Sequence, residues 1–61
     1  MGQLSEKELS LIGDLLADEQ LLTKKFKMLA EHSSDEKVKA KFNDISNKHK
    51  EHFKSLYSQL G

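Results

Sequence analysis

The chain has 61 residues, and its ten basic side chains balance ten acidic ones. That length allows one domain with a marginal core, and the lack of cysteine excludes disulfides and thiolate-held zinc, leaving oligomerisation or a histidine–carboxylate metal site as a staple. Lys24, Lys25 and Lys27 form the only tight basic cluster and apolar runs reach only two or three residues, so neither a nucleic-acid face nor a membrane span is expected.

A helix is expected over about residues 5–32. Ser5 and Glu8 have the spacing of a capping box, and Leu4 is placed to staple against Leu9. Acids fall early (Glu6, Glu8) and bases late, as the helix dipole prefers. Gly13 lies inside this pattern, at a cost of about 1 kcal/mol relative to alanine; Gly2 and Gly61 are terminal. Apolar residues stand at Leu9, Ile12, Leu15, Leu16, Leu22, Phe26 and Leu29. The central seam, 12, 15, 19, 22, 26 and 29, advances in steps of three and four and is interrupted by Glu19. Leu11, Leu21 and Met28 widen the apolar surface beyond that seam.

Residues 31–35 are polar, with a turn expected at about 33–34 and Ser33–Glu36 as a second capping box. The second helix is expected over about 35–60, with a seam of Val38, Phe42, Ile45, His49, His52, Leu56 and Leu60. Ala40, Phe53 and Tyr57 flank it, and Tyr57 is expected in the core. So short a connection makes the helices antiparallel. The fold class is therefore all-α, a single helical-hairpin domain over 1–61.

A lone hairpin covers one narrow stripe per helix, and the first helix is apolar over more than that. Such an excess calls for a partner. A second copy about a two-fold axis closes four helices and is the simplest solution. The alternatives are a loosely packed monomer and an adaptor that docks a partner helix.

Glu19 lies about fifteen residues before the turn and His49 about fifteen after it, so they share nearly one layer at 1.5 Å rise per residue. His52 stands one turn beyond His49 on the same face. Imidazole and carboxylate suit zinc, iron or manganese, which makes Glu19, His49 and His52 the candidate metal ligands. The alternatives are a hydrogen-bonded cluster that fixes helix register and side chains turned out to solvent. His32 reads as a cation at a helix C-terminus. The lysines of the second helix (Lys37, Lys39, Lys41, Lys48, Lys50, Lys54) read as a solvated face. Ser10, Ser46, Ser55 and Ser58 have no neighbouring base arrangement that points to catalysis, so no enzyme is expected.

The stretch from Asp14 through Glu19 to Phe26 (DLLADEQLLTKKF) resembles the first helix of the spore coat protein F domain of endospore-forming bacteria. The stretch from Phe42 to Phe53 (FNDISNKHKEHF), with Leu56 after it, is similar to that domain's second helix. The likeness covers roughly residues 8 to 60. It implies the ferritin-like four-helix class, here built from two copies of a half-length chain. It also implies a place in the spore coat and other coat proteins as partners, whereas a cytoplasmic location is expected from the N-terminal residues, which carry no apolar run preceded by bases. Ferritin-like sites pair a glutamate and an aromatic seven residues on with a Glu-x-x-His motif. Glu19 and Phe26 match the first element and His52 the histidine of the second, but His49 stands where the glutamate belongs. The resemblance thus implies a single zinc-like ion, or a site that has lost its metal, rather than a di-iron oxidase.

The expected function is a small structural or assembly protein acting as a homodimeric bundle. The alternative is a metal-binding or vestigial ferritin-like protein holding a divalent zinc, manganese or iron ion.

Overall fold

The computed structural model describes residues 4–60, which form two α-helices and no strand. Helix α1 runs Glu6–His32 and helix α2 runs Glu36–Ser58. They pack antiparallel against one another: Glu19 meets His49, while Phe26 meets Phe42 nearer the turn, with ring centroids 6.1 Å apart.

The start of α1 is set by the expected capping box. Glu8 N–H donates to Ser5 Oγ, and Ser5 N–H donates back to Glu8 Oε1, both at 3.1 Å. The backbone hydrogen bond from Ser5, with the Ser5 hydroxyl beside it, holds the Glu8 carboxyl below its ordinary value of 4.5 against a small opposing effect of burial. A depressed carboxyl pKa contributes stability above the unfolded value and loses it as pH falls through the folded one. Thermal melts between pH 3 and pH 6 therefore show an acid loss that is smaller in Glu8→Gln, where no ionised carboxylate remains to be protonated. An identical acid limb in both proteins would remove Glu8 from that account.

At the turn, the expected second capping box is replaced by another arrangement. Ser33 caps the end of α1, its N–H donating to Ala30 O at 3.3 Å. Asp35 is the N-cap of α2, and its Oδ1 accepts from Lys37 N–H at 2.9 Å and Val38 N–H at 3.1 Å. One carboxylate satisfies two orphan amides and places negative charge at the positive end of the helix, which a serine two residues earlier does not. His32 occupies the C-terminal position expected of it, its Nδ1 lying 2.9 Å from Met28 O. The α2 helix stops at Ser58 rather than near 60, and Gln59 and Leu60 close a tight turn onto Leu56 and Tyr57 carbonyls at 3.0 Å.

Among the described residues only Ala30 and Ser46 are buried, at 1% and 5% exposure. Leu15, Leu29, Val38 and Leu60, all seam positions by periodicity, remain 42–48% exposed, and Leu9 is 45% exposed. Tyr57, expected in the core, is exposed and stacks on Phe53 of its own helix at 6.1 Å. Two helices alone shield only the strip between them. The shape says the same: the chain measures 47 × 17 × 11 Å, a single layer of helix. Its radius of gyration is 14.4 Å, where a compact chain of this length would have about 10.5 Å. Its accessible surface is 4992 Å², where a compact monomer of its mass would show about 4,000 Å².

Gly13 has open space around the position of a Cβ. Gly13→Ala should stabilise the folded state by about 1 kcal/mol, because alanine removes backbone freedom from the unfolded chain at no steric cost. A chemical-denaturation midpoint that stays put or falls would show that this part of α1 tolerates no side chain.

Candidate functional site

Halfway along the hairpin the two helices exchange polar groups. Thr23 Oγ1 donates to Glu19 O, one turn back in α1, at 2.8 Å. Ser46 Oγ crosses from α2 and donates to Thr23 O at 2.8 Å. His49, one turn beyond Ser46, gives its Nδ1 to Glu19 Oε1 at 2.6 Å. These contacts tie Glu19, Thr23, Ser46 and His49 together across the helix interface. The small side chain of Ser46 lets the backbones approach, and its hydroxyl is satisfied at the point of contact.

The second imidazole completes the cluster. His52 Nδ1 lies 3.0 Å from Glu19 Oε2, so each carboxylate oxygen faces one ring. The two imidazoles meet edge to face with centroids 5.6 Å apart. Phe26 lies nearly parallel to His49, at 5.7 Å and 13°. The Glu19 side chain is 14% exposed and His52 59% exposed, so the carboxylate sits inside and one histidine stands at the rim.

An ionised carboxylate only accepts, so against it His49 presents its Nδ1–H and keeps a lone pair on Nε2 in the neutral ring. This is the hydrogen-bonded arrangement that the sequence left as an alternative to a metal site. The donor set also has the chemistry of a metal centre. Glu19, His49 and His52 offer one carboxylate oxygen and two imidazole nitrogens within 4.8 Å of one another. Ligands on a tetrahedral zinc ion stand about 3.4 Å apart, given bonds of about 2.1 Å. The 2.6 Å contact is therefore a hydrogen bond as it stands, and it would lengthen by about 0.8 Å as an ion replaced the proton. Three protein ligands with one position open at an exposed rim is the pattern of a zinc site accessible to solvent.

All three side chains singled out from the sequence thus come together at one level of the hairpin. Thr23 and Ser46 were not foreseen. Their signal was the small, hydroxyl-bearing pair three or four residues from Glu19 and His49, which periodicity treats as merely polar.

Comparison of the chain with protein-family models, with curated proteins and with solved structures finds no match in any of them. Among the described residues no helix is long and apolar enough to cross a membrane.

Proposed function

We propose that this chain is a small structural or assembly protein that works as a homodimer, two hairpins closing a four-helix bundle. The observation that carries this reading is one uncovered apolar flank. Heptad steps place Leu15, Leu22 and Leu29 on one side of α1, and Val38, Ile45 and His52 on the matching side of α2. The Glu19–His49 register sets Leu29 level with Val38, Leu22 with Ile45 and Leu15 with His52. Of these, Leu15, Leu29 and Val38 are 48%, 45% and 42% exposed. Patches of this kind on a soluble chain mark an interface. The amount also fits. The chain exposes 4992 Å², about 1,000 Å² above a compact monomer of its mass, and a standard dimer interface covers about 800 Å² per partner.

A second copy is the partner to which this geometry points, because a two-fold axis pairs the same three layers with themselves. The resemblance to spore coat F domains supports the same assembly and suggests a place among coat proteins during sporulation. Its work would be packing and self-association rather than turnover. Sedimentation equilibrium tests this directly: the expected mass is twice 7.0 kDa. A helical protein that stays monomeric at high micromolar concentration would overturn it.

A second reading is favoured by the cluster itself, in which Glu19, His49 and His52 bind a divalent ion. Elemental analysis together with melts in Zn²⁺, Mn²⁺ or Fe²⁺ decides it. An ion bound only by the folded state, present at a hundredfold over its Kd, raises stability by about 2.7 kcal/mol. That shift should vanish in His49→Ala and in His52→Ala. Unchanged melting with every ion would eliminate the metal reading and leave the cluster as a register lock.

A further inference from the structure

The flank of the hairpin opposite the apolar one carries a groove of about 310 Å³. Its chemistry differs from that of the rest of the surface. Lys24 and Lys27 come from α1 and Lys50 from α2, with Gln20, Asn43 and Asn47 between them. No aspartate or glutamate lines it, although the chain as a whole carries as many acids as bases. Two of the α2 lysines outside it are paired locally: Lys48 with Asp44 at 3.3 Å and Lys54 with Glu51 at 3.9 Å. Among the described residues, Lys24, Lys27 and Lys50 form no ion pair; the nearest acid by helical spacing, Glu31, stands one turn from Lys27 without closing on it.

We propose that this groove binds a small multivalent anion of the phosphate-chain or polycarboxylate class. Three ammonium groups supply charge from both walls, and three side-chain amides supply neutral N–H donors. Lysines act on such anions as point charges and need no fixed fork geometry. The hydroxyls of Thr23 and Ser46, also in the lining, donate inward to backbone carbonyls, so the outward-facing donors are the lysines and amides. Phe53 closes the apolar edge of the groove. Its volume lies at the small end of ligand sites, about 300 to 1,000 Å³. The groove goes beyond the self-association reading and is compatible with it, because the apolar flank used for pairing lies on the other side.

The test is titration of the untagged protein with inorganic tripolyphosphate, and in a parallel arm with citrate, in low-salt buffer. The signals followed are the side-chain amides of Gln20, Asn43 and Asn47. Saturable shifts at these three groups are expected, weakening as ionic strength rises from about 0.02 to 0.2 M. Each of Lys24→Gln, Lys27→Gln and Lys50→Gln should weaken binding about two- to fivefold, and the triple variant about tenfold or more. Lys48→Gln, which disturbs a lysine paired outside the groove, should leave the affinity unchanged. Saturation by tripolyphosphate alone assigns a phosphate chain; saturation by both anions assigns the wider class. Circular dichroism checks the fold of the triple variant, and Lys50→Gln alone serves if that variant unfolds. Shifts that fail to saturate with either anion, or an affinity indifferent to the lysines, would overturn the proposal. Neither result bears on the mass measured by sedimentation, so the two readings fail separately.

Discussion

In the proposed dimer, placing a charge on the uncovered flank should separate the two copies and take most of the helix with them. Leu15 and Leu29 lie at the two ends of that flank and are about half exposed within one hairpin. A Leu15→Lys/Leu29→Lys double variant therefore removes little from the hairpin itself, which is why it discriminates. In a dimer each position occurs twice. Losing about 1 kcal/mol of partial burial at each of four sites amounts to about 4 kcal/mol, or roughly a thousandfold in the dissociation constant. Sedimentation should then give the monomer mass at concentrations where the parent is paired. Far-UV circular dichroism should fall with it, since among the described residues a single hairpin buries only Ala30 and Ser46. A variant that keeps both the parent mass and the parent helicity would remove this flank from the interface. As a comparison on the other side, Lys27→Gln should leave the mass unchanged, because Lys27 lines the polar groove.

The second large effect concerns Glu19. Its carboxylate is shared by two imidazoles, with His49 at 2.6 Å and His52 at 3.0 Å. Truncation in Glu19→Ala strands the His49 N–H in a mostly covered position and should cost about 1–3 kcal/mol in urea denaturation. His52→Ala, whose ring stands at the exposed rim of a single hairpin, should cost that hairpin less than about 1 kcal/mol. Replacing both partners with apolar groups behaves differently, since a buried polar pair is often no more stable than a well-packed apolar one. Glu19→Leu combined with His49→Leu should thus recover most of what Glu19→Ala loses. The double-mutant coupling between Glu19 and His49 should fall in the range of about 0.5–3 kcal/mol. Additive effects of the two single changes would mean that the contact contributes nothing of its own.

These expectations were partly legible before any coordinates. The seams show in the steps of three and four, and the polar interruptions at 19, 49 and 52 stand level once the chain doubles back. The α1 start was readable from Ser5 and Glu8, because a capping box is a purely local device. The turn was misread for a physical reason: Ser33 and Asp35 are both competent caps, and the choice between them rests on the dipole and on two amides that only geometry brings within reach. Tyr57 was misplaced because periodicity reports a face without saying whether anything covers it. The lysine groove was invisible for a related reason. Lys50 is distant in sequence from Lys24 and Lys27, and read along α2 it belongs to an ordinary charged face. The link from Ser46 to Thr23 was missed because a serine within a helix signals nothing until the neighbouring backbone carbonyl is known.

The hairpin is a single layer of helix with almost no interior. If most of its dry surface forms when two copies meet, folding and assembly are the same reaction, and abundance becomes a determinant of survival. Scarce molecules would be open to proteases, while a dense local supply would shelter itself. A cell could then clear the protein simply by ceasing to make it.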